Sequence, residues 1–515
     1  MKDESPSRTR PLPQGQGMTP VRPDARTLID TFLDPGTWRS WDGTPADPAA
    51  PGSGYAEELA VARAKTGYDE SVVSGEGLLD GRRVAIVACE FSFLAGSIGV
   101  AAAERLTAAI ERATAERLPL LAAPASGGTR MQEGALAFVQ MVKITAAVAA
   151  HRAAGLPYIV YLRHPTTGGV FASWGSLGHV TAAEPGALIG FLGPRVFESL
   201  HGYPFPEGVQ VSENLFAHGL VDAVVSAEDA RQVAIRVLAV LCASREGAST
   251  RPEPDERVQP TEAWEAISRS RRDDRPGVRE LLRFGAHDVT PLNGTGEGEN
   301  DPGLLMALAR FGAVPAVVLG QDRSRRQIAA PFGPAGLRVA RRGMRLAAEL
   351  GLPLVTVVDT SGAALSKAAE EGGLAAEIAR SLADLVVLDA PTVCLLLGEG
   401  AGGAALALLP ADRVLCAQHA WLSPLPPEGA SALLYRSVDF APEIAAAQGV
   451  KSTDLRRDGI VDRVVPELPD AAYEPEAFCR RVAAALEHEI AGLLRRPPAD
   501  RLAARLARYR TLGTG

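Results

Sequence analysis

The order of apolar and polar positions divides the chain into two long blocks. In each, short β-branched runs alternate with Ala/Leu/Arg-rich helical segments. The strands expected are Val84–Ala88, Tyr158–Leu162, Ala316–Leu319, Leu354–Val358 and Val393–Leu397. This alternation reads as an α/β fold. Residues 1–50, rich in Pro, Gly, Ser and charge, read as a disordered tail with one short helical piece, Leu28–Leu33. A second polar, Pro-bearing stretch, 246–260, starts beside Arg245 and reads as a linker between domains at 51–245 and 261–515.

The blocks repeat one another. Each has a strand entering a small-residue turn, ASGGTR from Ala125 and DTSGAA from Asp359. Each has a second strand entering a Gly-rich turn, PTTGGVFAS from Pro165 and GEGAGGAALA from Gly398. Gly128 and Gly169 are 41 positions apart, as are Gly362 and Gly403, and the blocks close on GLVDAVV from Gly219 and GIVDRVV from Gly459. One domain type therefore occurs twice.

Composition narrows the picture. A chain of 515 residues suits two large domains, and 46% hydrophobic with 22% charged residues is globular. The net charge of −8 gives no electrostatic reason to expect nucleic acid. Cys89, Cys242, Cys394, Cys416 and Cys479 are scattered, without a disulfide or metal spacing, so no metal is expected and a reducing compartment is the default. The N-terminus lacks an apolar signal core, and the most membrane-like stretch, Pro391–Pro410, is Gly-rich and carries Glu399. A cytoplasmic protein off the membrane is expected. The Arg/Leu/Ala segment Ala491–Arg510 reads as a helix docking on a partner subunit.

Gly-rich turns that end a strand and open a helix present backbone N–H groups, which suit a developing oxyanion. No GxSxG, HExxH or GxxxxGK[ST] motif is present. Ser126 and Ser361 have no His or acid in a catalytic spacing, and His164 is the one histidine near a Gly-rich turn. Gly398-x-Gly400-x-x-Gly403 matches a dinucleotide fingerprint, but no strand ending in an acid follows at the required distance; Asp412 lies too close. Oxyanion turns without a nucleophile fit chemistry in which substrate or cofactor supplies the reacting groups.

At this point the residues resemble a known family. EFSFLAGSIG (90–99), PASGGTRMQEG (124–134), GLPYIVYLRHPTTGGVFAS (155–173) and EPGALIGFLGPRV (184–196) are similar to the β subunit of bacterial acetyl-CoA carboxylase carboxyltransferase. AAELGLPLVTVVDTSGA (347–363), LLLGEGAGGAALAL (395–408), SPLPPEGASALLYRS (423–437) and DGIVDRVVPE (458–467) are similar to its α subunit. The resemblance implies two crotonase-like domains in tandem, each a spiral of ββα units. It implies transfer of a carboxyl group from carboxybiotin, borne by a biotin carboxyl carrier protein and charged by a biotin carboxylase, to acetyl-CoA or a close acyl-CoA. Both partners are expected as separate proteins, and the chain as at least a homodimer.

Position by position, the resemblance implies Gly168 and Gly169 as the acyl-side oxyanion turn, with Gly127 and Gly128 beside it. Gly403 and Ala404 become the biotin-side turn, with Gly362 and Ala363 beside it. Arg130 and Arg195 become candidate contacts for CoA phosphates or the transferred carboxylate, with Glu133 an alternative partner for Arg130. Glu428 and Gly429 shape the biotin side. The family's zinc ribbon has no counterpart, since no cysteine precedes Cys89. DTPGAYPG of the family is here DTSGAALS, and Ala404 stands where glycine is usual. These departures leave a malonate or methylmalonyl-CoA decarboxylase component, or a non-catalytic scaffold, as alternatives.

Overall fold

The computed structural model describes residues 22–46, 48–244, 258–325 and 332–513. The expected linker falls almost wholly outside these residues, as does the start of the tail.

The first half holds β1 (Arg39–Ser40), β2 (Val72–Leu79), β3 (Arg82–Cys89), β4 (Leu120–Ala123), β5 (Tyr158–Leu162), β6 (Thr166–Thr167), β7 (Val180–Ala183), β8 (Ile189–Gly190) and β9 (Ala223–Val224). The second holds β10 (His287–Leu292), β11 (Leu304–Phe311), β12 (Val314–Gln321), β13 (Leu354–Thr360), β14 (Thr392–Gly400), β15 (Arg413–Ala417) and β16 (Arg463–Val465). Two seven-stranded sheets result, ordered β1-β2-β3-β4-β5-β7-β9 and β10-β11-β12-β13-β14-β15-β16, with β6 and β8 paired apart. In each sheet the first two pairings are antiparallel and the remaining four parallel. The repeat seen in the sequence is thus a repeat of topology.

Local chemistry explains the elements. Asp80 and Gly81, at φ 50° and 74°, form the two-residue turn between β2 and β3, where Asp-Gly is favoured because both positions need positive φ. Strands β13 and β14 are buried along their whole length, as parallel strands covered on both faces should be. All five strands expected from the sequence lie within β3, β5, β12, β13 and β14.

The expected tail is corrected from Arg22 onward. Helix Ala25–Phe32 buries Ala25, Leu28, Ile29 and Phe32 in the main core, and β1 is the edge strand of the first sheet, in the place β10 takes in the second. A two-residue strand flanked by Pro and Gly leaves no period-2 pattern to read. The C-terminal helix Pro498–Thr511 is also corrected. It docks on its own chain: Arg505 pairs with Asp412 at 2.8 Å and donates to the carbonyls of Leu385, Leu388 and Ala390. By length and composition alone, the one helix among the described residues apolar enough to cross a membrane is Met131–Ala153, not the 391–410 stretch, which forms β14 and a short helix.

The closing phrases GLVDAVV and GIVDRVV do one job twice. Asp222 accepts from Thr181 N of β7 and Asp462 from Val414 N of β15. Each also captures an arginine from a helix further along the chain. Asp222 takes Arg342 of the second half at 2.9 Å, and Asp462 takes Arg508 of the last helix. Gly219 and Gly294 meet here, and a Cβ on Gly294 would stand 2.3 Å from Gly219 Cα.

Beneath the first sheet, His151 is fully buried between Thr114 Oγ1 and Pro157 O, and burial pulls its pKa down to about 4. At pH 7 the ring is neutral folded or unfolded. As pH falls through about 6.5 the unfolded chain gains a proton the folded one refuses, so about 3 kcal/mol of stability is lost by pH 4. His151→Gln is expected to show a smaller drop in urea midpoint between pH 7 and 4.5 than the wild type. An equal drop in both would mean that other groups carry the acid sensitivity.

Candidate active site

In the first half, β4 runs into the turn 124–129 and β5 into the segment 163–169. The two are zipped together: Ser126 N donates to Pro165 O at 2.6 Å and Thr167 N to Ser126 O at 2.9 Å. Gly168, at φ 63°, then opens the short helix Gly168–Phe171. Gly128 lies against it so closely that a Cβ on Gly168 would stand 3.4 Å from Gly128 Cα.

The second half repeats this geometry 234 positions on. Ala401 N donates to Thr360 O at 3.1 Å, and Gly402, at φ 66°, opens the helix Gly402–Leu406. Gly128 N donates to Ser126 Oγ, and Gly362 N to Thr360 Oγ1. Arg130 N donates to Ile98 O, and Ala364 N to Phe332 O. Gly168 N donates to Phe191 O at 2.8 Å, and Gly402 N to Ser423 O at 2.9 Å.

These bonds decide which amides remain for a ligand. Gly127, Gly128, Gly168 and Gly362 have spent theirs, on Ala95 O, Ser126 Oγ, Phe191 O and Thr360 Oγ1. Gly168 was expected within an oxyanion turn and the other three beside one, and all four N–H groups fix the turns. Among the described residues Thr129 and Gly169 keep free N–H groups in the first half, and Ala363 and Gly403 in the second. All four residues are half-exposed. Each half thus presents one amide from each of two abutting turns, the later one reinforced by a helix N-terminus. Ala404 also keeps its N–H, while its methyl is packed in the core and its carbonyl accepts from Gln321 Nε2 at 3.0 Å. The methyl therefore takes no room from the open face of the turn.

Thr129 went unnamed in the sequence, although the constant offset pairs it with Ala363. Gln321 was also missed. Its amide bridges the biotin-side turns expected above, since its Oε1 accepts from Asp359 N while Nε2 holds Ala404 O.

The charged candidates are placed differently. Arg130 is buried and fully engaged: it makes a bidentate pair with Glu70 and donates to Ser97 O, Ser97 Oγ, Ser71 Oγ and Tyr55 Oη, with Glu133 more distant at 3.8 Å. No donor is left for a substrate, so its expected binding role is corrected to bracing the 97–130 contact. Arg195 lies in the helix Pro194–His201, just after Phe191, whose carbonyl accepts from Gly168 N. Glu428 is held by Arg271 at 2.5 and 3.1 Å, and this hydrogen bonding lowers its carboxyl below the ordinary range. Arg271 also reaches Glu399 at 3.0 Å, tying the helix Pro427–Tyr435, which contains Gly429, to the end of β14. His164 accepts from Leu188 N through Nδ1, and burial, aided by Arg22, lowers its pKa. Ser126 is fully buried. The GxGxxG glycines are explained by packing, because a Cβ on Gly398 would stand 2.4 Å from Asp359 Oδ1 and one on Gly400 2.6 Å from Trp421 O. Among the described residues no group of three His, Cys, Asp or Glu side chains could hold a metal.

Comparison with known proteins agrees with this geometry. Residues 26–501 match the carboxyl transferase domain model. The chain is 61% identical, over 94% of its length and 98% of the relative's, to a Mycobacterium tuberculosis protein named as a biotin-dependent acyl-coenzyme A carboxylase beta3 subunit. It is 39% identical, over 96% of its length and 91% of the relative's, to the acetyl-coenzyme A carboxylase carboxyl transferase subunits beta/alpha of Salinispora arenicola. Among solved structures it resembles a hexameric transcarboxylase 12S with methylmalonyl-coenzyme A bound, with TM-score 0.70, 22% identity and coverage of 90% and 89%. The fold is thus crotonase-like in both halves.

Proposed function

The chain belongs to the carboxyl transferase domain family, and from that premise we infer that it is the carboxyltransferase component of a biotin-dependent acyl-CoA carboxylase. The observation that carries this reading is the pair of amide sites, one per half, with a free N–H from each abutting turn. Such sites stabilise two oxyanions in one reaction.

The first half takes the acyl thioester and the second the carboxyl donor, on the resemblance of each half to the corresponding subunit. Thr129 and Gly169 N–H hold the thioester oxygen as the α-carbon loses its proton and negative charge moves onto oxygen. Ala363 and Gly403 N–H hold the carbonyl oxygen of the donor's urea, and fully buried Ala404 backs the turn. Carboxybiotin, when bound, supplies the carboxyl carbon and, as the ureido anion, the base that takes the α-proton. One C–N bond breaks, one C–C bond forms, and the α-proton ends on the ureido nitrogen, so no redox partner is needed.

Acetyl-CoA or a close acyl-CoA is the proposed acceptor, with a separate carrier protein and biotin carboxylase as partners. The chain acts as at least a dimer. Two exposed apolar faces support this: Leu136, Phe138, Val139 and Val142 on the helix Gly134–Ala153, and Leu433, Leu434, Tyr435 and Phe440 around the helix Pro427–Tyr435. Contiguous apolar surface of this kind marks association.

The test is reverse carboxyl transfer to biocytin from malonyl-CoA, methylmalonyl-CoA and a long-chain 2-carboxyacyl-CoA. We expect biocytin-dependent loss of the carboxyl group, with the two short esters preferred by at least about tenfold in kcat/KM. Preference for the long chain would move the substrate class, and loss without biocytin would point to a decarboxylase.

A further inference from the structure

The two amide sites match in sequence offset and in most backbone bonds, and among the side chains that differ between them one bears directly on the amides. Thr129 and Ala363 are equivalent: each follows a positive-φ glycine, Gly128 or Gly362, and each keeps its own N–H free. Thr129 therefore adds a hydroxyl where Ala363 has only a methyl. Among the described residues that hydroxyl has no hydrogen-bond partner. Its Oγ1 stands 3.2 Å from where a Cβ on Gly169 would be, beside Met141 Cγ at 3.3 Å, so it lies against the residue that bears the second free amide. The matching flank of Gly403 is apolar, with Ile378 Cδ1 at 2.8 Å from the Cβ position.

We propose that the Thr129 hydroxyl is a catalytic group of the first site, donating a third hydrogen bond to the oxyanion held by Thr129 N–H and Gly169 N–H. A hydroxyl and a backbone N–H on one residue can converge on a single anionic oxygen. The asymmetry also fits the two oxyanions. An enolate concentrates charge on one oxygen and gains from another donor, whereas a ureido anion spreads its charge over a nitrogen and an oxygen. The proposal rests on the first half being the acyl side.

The test compares full-length wild type, Thr129→Val, which keeps the branched volume, and Thr129→Ser, which keeps the hydroxyl. In reverse transfer to biocytin, Thr129→Val should lose about tenfold or more in kcat, with KM for biocytin unchanged. Thr129→Ser should retain most of the activity. Full activity in Thr129→Val, or an equal fall in both variants, overturns the proposal. Binding of a CoA analogue whose thioester is replaced by a nitronate, a mimic of the enolate, needs neither biotin nor turnover. Wild type should bind it more tightly than CoA, and Thr129→Val should lose about tenfold of that preference. If wild type prefers the nitronate but Thr129→Val binds it equally well, the hydroxyl has no role and the acyl-side reading stands. If wild type shows no preference, the acyl-side reading itself falls and takes the proposal with it.

Discussion

Replacing Gly169 with proline is expected to lower kcat for carboxyl transfer by about 10²–10³, corresponding to about 2.7–4 kcal/mol of lost transition-state stabilisation. Proline removes the N–H and puts its Cδ methylene where the hydrogen pointed, so a donor is lost and an apolar group faces the oxyanion. The position is the second of a helix, in the first turn where proline costs no intrahelical bond, and its φ lies outside the positive range. Gly169→Ala is the control. It keeps the amide, and its Cβ would meet Thr129 Oγ1 at 3.2 Å and Met141 Cγ at 3.3 Å, contacts that flexible side chains relieve by small shifts. The alanine variant should therefore stay within about tenfold of wild type, provided circular dichroism shows both variants folded. Gly403→Pro is the same experiment on the second site. Because the sites hold different reactants, Gly169→Pro and Gly403→Pro should respond oppositely when the CoA ester and the biotin acceptor are varied in turn. A folded Gly169→Pro variant with wild-type kcat would show that its amide is not a donor.

The second large effect is on stability. Glu467 is buried at the heart of the second half, in a bidentate pair with Arg275 at 2.6 Å for both contacts. It also accepts from His419 N, His419 Nδ1 and Ala471 N. Burial alone would raise its pKa, but the Arg275 charge and these hydrogen bonds hold the carboxyl far below the ordinary range. Arg275 in turn donates to Leu397 O of β14, so the cluster fixes the strand that delivers Gly403. Glu467→Ala leaves the Arg275 charge buried and unpaired, and should cost about 3–5 kcal/mol. Glu467→Gln keeps the shape and should cost less. Urea unfolding of the purified variants reads both. A loss under about 1 kcal/mol for the alanine variant would mean that water or a rearranged acid reaches Arg275.

How far the sequence carried these results depended on the range of the interactions concerned. The strands were legible because burial on both faces writes a near-continuous apolar run into β5, β13 and β14. The tandem fold was legible because Gly128, Gly169, Gly362 and Gly403 keep one spacing, and that spacing follows from two turns having to abut. Which amides stay free was not legible. Gly168 loses its N–H to Phe191, and Gly127 to Ala95, across loops whose pairing no local pattern encodes. Arg130 looked like a ligand because its partner, Glu70, is 60 positions away. The segment 22–46 looked like a tail because its strand is two residues long and its helix buries a face against residues far down the chain. The last helix read as a docking element for another subunit, but Arg505 finds its acid, Asp412, within the same chain. At short range the sequence therefore placed the turns, and long-range hydrogen bonds determined which of their amides stay free.

The central claim is that this chain moves a carboxyl group between a CoA ester and biotin across its two amide sites. The most direct measurement follows the carbon itself, using the purified chain with malonyl-CoA carrying ¹³C only in its free carboxyl group, and biocytin. Mass-resolved carboxybiocytin bearing the label is expected, formed in step with acetyl-CoA, with both products lost in Gly169→Pro and Gly403→Pro. Acetyl-CoA released while the label appears only as bicarbonate, at a rate indifferent to biocytin, would contradict it.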